Sequence, residues 1–403
     1  MCFLVVKMIS VILIILLLIY IYKIDKRRLG NLLSPTICFV LPTVVVAVLY
    51  DLIGPLLGFY SLNRAIYTEI LFATLFFYIG GAFVYNIRKP SFKLKQFRER
   101  VLNTKGIFLK SVFYSFLILV ILLLFFRLYS LGGLSVLVNE DLQSQYGSSG
   151  FFGHLMVFVI FSIIVLLSLF SSLSHNILTY LLLIATYTCV VFYQVKSWLI
   201  FPIIASMLYK QCVGIKQSYW KYLAVIIAII TCFILGYAFT FSLNDTVNQM
   251  FILNHFFKYL FAGVGGWSEA MSDCYIVGQN PAYLLQPFSH FLGIEQIGVD
   301  SRYGYVLINY NGEYTIVFTL IGTSLLFAGR FWAYIYFFFL GAFSYIFACK
   351  CMYKYSIGYL LAYSVLCTSL FLGFFGSYFT LLNVYELIFY RFVIQYFVKK
   401  RGA

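Results

Sequence analysis

The side chains best suited to acid–base chemistry in this chain lie in one polar segment, residues 242–315. It contains His255, Glu269 and Asp300, whose side chains can accept a proton from a hydroxyl group. Because a histidine titrates near neutral pH, His255 is the first candidate for a base, and Asp300 or Glu269 is the next. The alternative for His255 is a structural role, since it lies within an aromatic helical pattern.

Four cations form a second set of candidates, because arginine binds phosphate in bidentate fashion and lysine binds it as a point charge. The four cations lie in segments that the charge pattern described below assigns to the outer side of the membrane, where lysine and arginine are disfavoured. Together they predict a diphosphate-binding site. The alternative for each is an interfacial anchor, or for Arg302 a solvated ion pair with Asp300. The four residues are Lys196, Arg302, Arg330 and Arg127.

The chain lacks the motifs of several common enzyme classes. It contains no HExxH, GxSxG or P-loop pattern and no paired zinc ligands, so the usual features of proteases, lipases and ATPases are missing. Its nine cysteines lie mostly inside apolar runs, where a thiol behaves as a small hydrophobic group. We therefore expect no disulfide framework, no metal and no other cofactor.

The rest of the chain must position these residues from within a lipid bilayer. With 63% hydrophobic and 10% charged residues, the composition excludes an ordinary soluble protein, in which about a quarter of residues are charged. Apolar runs of about 20 residues match the thickness of a bilayer, and lipid requires them to be helical. Arg391, inside the last run, is expected to extend to the headgroups. We predict an all-α polytopic membrane protein with about eleven transmembrane helices near 3–22, 32–50, 65–85, 108–128, 151–170, 177–194, 198–209, 222–241, 328–349, 357–376 and 379–398.

Lysine and arginine alternate between connecting segments in a pattern that predicts orientation, because basic loops remain in the cytoplasm. The polar segment 242–315 and a shorter loop, 129–150, fall on the opposite, outer side. The N-terminus is then outside and the C-terminus inside. This arrangement predicts three parts: helices in 1–241, a large outer loop in 242–315, and helices in 316–403. The basic segments assigned to the cytoplasm are 23–28, 86–110, 210–221, 350–354 and 399–401.

Within the polar segment, the pattern predicts short amphipathic helices separated by a turn. One or two helices are expected over 247–262, followed by a glycine-rich turn at 263–266 and a second helix near 267–277. Irregular chain is expected from there to about 315. Amphipathic pieces of this kind often lie on the bilayer surface, so we expect the segment to cap a cavity.

Four short stretches on the predicted outer side have patterns found together in one known family. They are Tyr129-Ser-Leu-Gly132-Gly133-Leu, Lys196-Ser197 before an apolar run with Pro202, Tyr259-Leu-Phe-Ala-Gly263, and Asn311-Gly-Glu-Tyr314-Thr315 leading to Gly322, Gly329 and Gly341. With the predicted topology, they resemble the Wzy-type O-antigen or oligosaccharide repeat-unit polymerases. The aspartate that is common after the last stretch in that family is missing, because residues 324–329 contain no acid.

The resemblance implies a GT-C-like glycosyltransferase in the bacterial inner membrane. Such an enzyme joins undecaprenyl-diphosphate-linked oligosaccharide repeat units at the periplasmic face. A hydroxyl of one unit attacks the anomeric carbon of the other glycan, whose lipid diphosphate departs. The four cations would stabilise the charge on that diphosphate, and His255, Asp300 or Glu269 would accept the proton.

The resemblance also implies partners, and the sequence leaves alternatives open. The expected partners are the lipid-linked substrates, membrane lipid, a Wzz-type chain-length regulator and a Wzx-type flippase, with no nucleic acid. An O-antigen ligase would share the architecture and donor but transfer glycan to lipid A-core. A lipid-linked oligosaccharide flippase is less compatible with a long polar segment, and a non-catalytic assembly protein is the remaining alternative.

Overall fold

A computed structural model defines the structure of this chain over most of its length. It describes residues 2–30, 32–88, 107–137, 140–147, 150–170, 177–193, 195–215, 220, 224, 227, 231, 249–272, 280–293, 306–310, 312–354 and 356–399.

The described chain is almost entirely helical. Its only paired strands form a two-residue antiparallel hairpin, in which Val306 pairs with Thr315 and Leu307 with Tyr314. Shorter helical turns occur at Gly54–Leu57, Gly133–Leu137, Leu166–Phe170, Pro281–Phe288, Leu372–Phe374 and Tyr378–Thr380. The α-helices and strands are α1 (Cys2–Leu29), α2 (Pro35–Ile53), α3 (Ala65–Arg88), α4 (Ile107–Ser130), α5 (Glu140–Gly147), α6 (Gly150–Val165), α7 (Ile177–Tyr193), α8 (Lys196–Cys212), α9 (Gln249–Ser272), α10 (Ser289–Leu292), β1 (Val306–Leu307), β2 (Tyr314–Thr315), α11 (Leu320–Ala328), α12 (Arg330–Lys354), α13 (Ile357–Phe371), α14 (Leu382–Phe389) and α15 (Arg391–Lys399).

Seven helices in the described residues are long and apolar enough to cross a membrane, as expected for an all-α polytopic membrane protein. The predicted helices at 177–194 and 198–209 correspond to the shorter α7 and α8, and most of 222–241 lies outside the described residues. The seven spans are Lys7–Leu29, Pro35–Leu57, Ala65–Arg88, Ser111–Ser130, Gly150–Leu169, Arg330–Tyr353 and Ile357–Phe374.

The single helix predicted at 379–398 was wrong, because the chain forms two shorter helices there. α14 ends at Phe389 and α15 begins at Arg391, with a turn at Tyr390 between them. Arg391 is also not extended toward headgroups. Its side chain is buried, with the guanidinium carbon 4.3 Å from the ring centre of Tyr359 and 4.1 Å from that of Phe392. Contacts with the buried ring of Tyr359 and the half-exposed ring of Phe392 thus replace the lipid headgroups that we expected this cation to reach.

The chain divides into two compact units that do not follow the order of the sequence. Unit 1 contains Met1–Ser91, Thr246–Tyr353 and Ser369–Val384. Unit 2 contains Phe92–Asp245, Lys354–Thr368 and Tyr385–Ala403.

In unit 1, α3 and α12 lie side by side and run in the same direction. Gly80 on α3 lies against the backbone of Phe338, and Gly341 on α12 lies against the backbone of Phe77. A Cβ atom on either glycine would overlap a carbonyl oxygen of the neighbouring helix. Small residues allow this close approach between helices in membranes. The close packing brings the first turns of the two helices together.

The glycine-rich stretch at 263–266 is part of a continuous helix, so the predicted turn there was wrong. α9 passes through it unbroken, and none of its glycines has a positive φ. The glycines are required for space instead. A Cβ atom on Gly263 would overlap the carbonyl oxygen of Phe374, and one on Gly265 would press into the ring of Tyr50. Residues 261–268 are consequently buried inside unit 1, although amphipathic pieces of this segment were expected on the bilayer surface.

In unit 2, α6 forms the centre of the packing. All residues from Leu155 to Val165 are buried, and the helix contacts α4, α7 and α8. α4 ends at a turn made by Gly132 and Gly133, which have φ angles of 93° and 62°. Glycine adopts this left-handed conformation without the steric cost that other residues incur. This turn belongs to the first stretch of the family resemblance.

Candidate functional site

A buried carboxylate holds one of the predicted cations in unit 1. Arg330, the first residue of α12, places its Nε 2.8 Å from an oxygen of Glu69 in the second turn of α3. The other oxygen of Glu69 accepts a hydrogen bond from the hydroxyl of Tyr334. The Glu69 side chain is only 6% exposed, whereas that of Arg330 is 67% exposed. Both carboxylate oxygens are therefore satisfied, and the guanidinium group faces outward.

This geometry leaves part of Arg330 available for a ligand. The contact with Glu69 uses Nε, and the guanidinium has no other partner among the described residues. Its two Nη groups can therefore donate hydrogen bonds to phosphate oxygens in the bidentate manner typical of arginine. Of the four cations predicted to bind diphosphate, Arg330 is the one whose described geometry fits that role best.

A second ion pair lies at the same end of unit 1, near the start of α3. Lys7 places its Nζ 2.5 Å from one oxygen of Asp51, and the Tyr67 hydroxyl donates to the other oxygen at 2.5 Å. The ammonium group also lies 5.6 Å from the ring centre of Tyr67. Lys7 is thus occupied by neighbours from α2 and α3, and we assign this group a structural role.

Glu269 is half-buried in the last turn of α9, beside the loop between α2 and α3. The loop is attached to α9 through Asn63, whose backbone N–H donates to Ser268 Oγ at 2.7 Å and whose side-chain amide donates to Ser272 Oγ at 3.0 Å. The pKa of Tyr60, which lies in this loop, is raised mainly by desolvation and then by the negative charge of Glu269. Glu269, one of the predicted bases, therefore lies within electrostatic reach of a phenol that stays protonated at neutral pH.

The hairpin of β1 and β2 adds further polar and aromatic groups to this end of unit 1. At its tip, the side-chain amide of Asn309 donates to Glu313 Oε2 at 2.9 Å, and Asn309 Oδ1 accepts from the Glu313 backbone N–H at 2.9 Å. Tyr310 and Tyr314 expose 77% and 52% of their surface. Residues 312–315 of the last stretch of the family resemblance therefore belong to a surface hairpin that has a held carboxylate, an exposed phenol ring at Tyr314 and another at the preceding Tyr310.

Arg127 and Lys196 belong to unit 2. The Arg127 guanidinium donates to the backbone oxygen of Gln145 at 3.3 Å and lies 5.1 Å from the ring centre of Phe152. Arg127 therefore links α4 to α5 and α6, and its role in diphosphate binding stays a prediction. Lys196 is the first residue of α8, and its side chain lies outside the described residues.

The remaining predicted site residues lie partly or wholly outside the described chain. His255 is part of α9, but its side chain is not among those described, and Asp300 and Arg302 belong to a range that the structure does not describe. Their proposed roles stay predictions. Within the described ranges, no group of three or more His, Cys, Asp or Glu side chains is arranged to hold a metal ion.

A histidine–carboxylate pair in unit 2 was missed from the sequence. His154 Nδ1 lies 3.0 Å from Glu386 Oε2, and Glu386 Oε1 accepts from the Tyr390 hydroxyl at 2.6 Å. Because a carboxylate only accepts hydrogen bonds, Nδ1 of His154 is the donor to Glu386, and the contact fixes the orientation of the imidazole ring. No sequence signal predicts this pair, since 232 positions separate the two residues.

A family model described as a family of unknown function, DUF6337, matches residues 65–403. The match includes α3 and both helices that hold Arg330 and Glu269. No curated protein and no solved structure matches the chain.

Proposed function

Because the chain belongs to DUF6337, a family of unknown function, we propose its function from its own residues: it polymerises oligosaccharide repeat units carried on undecaprenyl diphosphate. The proposed reaction transfers one glycan from its lipid diphosphate to a hydroxyl of the next lipid-linked unit. The product is an O-antigen or a related surface polysaccharide. In this proposal the protein is a glycosyltransferase that needs no metal.

The observation that carries the proposal is the Arg330–Glu69–Tyr334 group at a helix end of a membrane protein. Ionisable side chains in membrane helices are costly and usually mark a functional site. Glu69 fixes the direction of Arg330 without using its Nη groups. A preorganised cation of this kind stabilises the charge that develops on a departing diphosphate. The exposed guanidinium at the start of α12 is where we propose that the lipid diphosphate binds.

The neighbouring carboxylate Glu269 supports the second half of the reaction. An attacking hydroxyl must lose a proton, and a half-buried carboxylate can accept it. Glu269 is the predicted base whose surroundings are described, and it lies beside the loop that leads directly into α3. His255 and Asp300 remain further proposed bases, and Arg302, Lys196 and Arg127 remain further proposed diphosphate ligands.

The proposal includes a topology and a location. The protein would cross the bacterial inner membrane about eleven times and adopt a GT-C-like architecture. Its N-terminus and the segment 242–315 would be periplasmic, and its C-terminus cytoplasmic. The start of α12 would then lie at the periplasmic surface, where lipid-linked units are exposed. A Wzz-type regulator and a Wzx-type flippase are the proposed functional partners.

Two other functions use similar chemistry or similar substrates. An O-antigen ligase would use the same diphosphate donor but would transfer glycan to lipid A-core. A flippase would move the lipid-linked unit without breaking the bond to diphosphate. A preorganised cation beside a carboxylate favours bond cleavage over transport, so the flippase is the weaker alternative.

Deletion of the gene provides the functional test. If the protein is a polymerase, the deletion strain makes surface glycan that carries a single repeat unit. The wild-type gene then restores the ladder of longer chains on a gel. Complete loss of attached glycan would instead indicate a ligase or a flippase, and an unchanged ladder would contradict all three functions.

A reconstituted assay separates the polymerase from the ligase. The purified protein in liposomes is supplied with the undecaprenyl-diphosphate-linked units isolated from the deletion strain. A polymerase lengthens these units without any other acceptor. Growth that occurs only after lipid A-core is added would identify a ligase.

A further inference from the structure

Three tyrosines at the Glu69 end of unit 1 form a surface that the proposed chemistry does not use. We call Tyr60, Tyr310 and Tyr314 the tyrosine platform. The rings of Tyr60 and Tyr310 meet edge to face, with centres 4.6 Å apart and planes at 84°. Tyr314 belongs to β2 of the same hairpin, where it pairs with Leu307. The platform therefore combines a contacting pair of rings with a third tyrosine on the same hairpin, and Tyr310 and Tyr314 are more than half exposed.

Backbone hydrogen bonds hold the platform in one arrangement. The Tyr60 N–H donates to the Ile308 carbonyl at 3.1 Å, and the Tyr310 N–H donates to the Gly58 carbonyl at 3.0 Å. These bonds attach the loop before α3 to the hairpin of β1 and β2. The exposed rings are thus fixed before any ligand arrives, which lowers the entropic cost of binding.

A buried aromatic cluster supports this loop from below. Phe59 packs against Tyr50 and Phe261, with ring centres 5.8 and 5.6 Å apart. Tyr50 and Phe261 themselves lie 5.1 Å apart, and all three rings are buried. Phe59 comes directly before Tyr60, so the direction of the Tyr60 ring is set by contacts in the core of unit 1.

Hydrogen-bonding groups surround the exposed rings. The Glu313 carboxylate is held by Asn309 one residue before Tyr310, and Glu269 follows Ser268, which accepts a hydrogen bond from Asn63 in the loop that contains Tyr60. Desolvation, Glu269 and the two phenols raise the pKa of Tyr60, so its hydroxyl remains a neutral donor and acceptor at neutral pH. The surface combines apolar ring faces with acceptors and donors at their edges.

This combination matches a sugar better than it matches lipid. A pyranose ring has an apolar C–H face that packs on an aromatic ring and hydroxyl groups that bind carboxylates. Tyrosines also occur at bilayer interfaces, but two carboxylates beside the rings would be repelled by anionic headgroups. We propose that the tyrosine platform binds the saccharide chain of the substrate. This inference rests on the proposed function and assigns the glycan, rather than the diphosphate, to these residues.

The test measures glycan binding without lipid or catalysis. The full-length protein in nanodiscs is applied to an array of lipid-free bacterial surface oligosaccharides, and the affinity for the captured glycan is then determined. We expect Tyr310→Ala and Tyr314→Ala each to weaken binding about tenfold, as loss of one aromatic packing contact predicts. Tyr353→Ala is the matched control, because Tyr353 is 72% exposed but lies at the opposite end of α12.

Several results would overturn the inference. The first is a wild-type protein that captures no glycan. The second is platform variants that bind glycan as tightly as the wild type does. The third is a spin label on Tyr310→Cys whose relaxation is enhanced more by oxygen, which concentrates in lipid, than by a water-soluble nickel chelate. The last result would place the platform in lipid. If wild type binds glycan while the deletion strain keeps its ladder, the polymerase proposal fails and the platform stands. If the deletion strain loses its ladder but the platform variants bind glycan as tightly as the wild type, only the platform proposal fails.

Discussion

Arg330 shows how a single side chain in a membrane protein can be prepared for an anion. Its Nε is held by Glu69, which is itself held by Tyr334. The arginine was a candidate from its residue type and position, but its partner was not. Glu69 lies 261 positions away in the sequence, and only the parallel packing of α3 and α12 brings the two together.

Neutralising the Arg330 pair should slow polymer growth strongly while preserving the fold. Arg330→Gln alone would leave the buried Glu69 carboxylate unpaired, which costs about 3 to 5 kcal/mol in buried sites. We therefore expect the double variant Arg330→Gln with Glu69→Gln to remain folded and to lose about 10²-fold in the rate of chain elongation, as when one preorganised donor is removed. The liposome assay measures the rate, and thermal unfolding in detergent measures the fold.

The Lys7 pair provides a matched control for this double variant. Lys7→Gln with Asp51→Asn also removes an ion pair at the same end of unit 1. Because Lys7 is already occupied by Asp51 and Tyr67, this variant should elongate glycan at nearly the wild-type rate. Equal losses in both double variants would contradict a specific role for Arg330.

Residue types alone were a poor guide to acid–base candidates. His154 was not considered from the sequence because it lies at a helix end, yet its Nδ1 is held by Glu386. Glu386 and Tyr390 come from the far C-terminal part of the chain. A pattern of neighbouring residues cannot reveal a pair that forms only when α6 and α14 are brought together.

At the scale of helices, glycine spacing has two different meanings in this chain. Gly132 and Gly133 have positive φ angles and end α4, as a turn signal predicts. Gly263 and Gly265 instead lie inside α9, where neighbouring groups leave no room for a side chain. The sequence pattern is similar in both places, so a glycine-rich stretch predicts a turn only when no neighbour needs the space.

The close packing of α3 and α12 predicts a clear difference between two glycine substitutions. Gly341→Ala would push a methyl group into the backbone of Phe77, and overpacking of this kind costs about 1 to 3 kcal/mol. Because the same contact aligns Glu69 with Arg330, elongation should fall with stability. Thermal unfolding in detergent and the liposome assay measure the two effects.

Gly376→Ala is the control for this packing prediction. No atom lies within 4 Å of a Cβ atom built on Gly376, so alanine is accommodated there. We expect this variant to unfold at the wild-type temperature. If Gly341→Ala unfolded at the same temperature as Gly376→Ala, α3 and α12 would not be closely packed at Gly341.

At the scale of the whole molecule, the predicted site residues are divided between two units. His255, Glu269 and Arg330 belong to unit 1, whereas Arg127 and Lys196 belong to unit 2. Asp300 and Arg302 lie outside the described residues. The predicted cavity beneath segment 242–315 stays a prediction. The structure adds that residues 261–268 of α9, within that segment, are built into the core of unit 1.

The proposed orientation predicts which side of the membrane each end of unit 1 faces. The described cysteines are buried. A variant with all nine cysteines replaced by serine serves as the background protein, because it contains no thiol that a maleimide could label. A cysteine introduced at Tyr310 should react with a membrane-impermeant maleimide in intact spheroplasts. One introduced at Arg27 should react only after the membrane is permeabilised. The reverse result would overturn the orientation and the periplasmic location of the site.

The sequence by itself determined that this chain is an all-helical membrane protein with one long polar segment. Apolar runs are counted locally, and the thickness of the bilayer requires about 20 residues for each span, so no tertiary information is needed. Tertiary structure alone decided that α9 is continuous, that Glu69 holds Arg330 and that Glu386 holds His154. Lipid surrounds every apolar helix equally well. Which helices pack against each other therefore depends on close contacts and hydrogen bonds between residues that are distant in the sequence. A hydropathy pattern contains no information on these contacts.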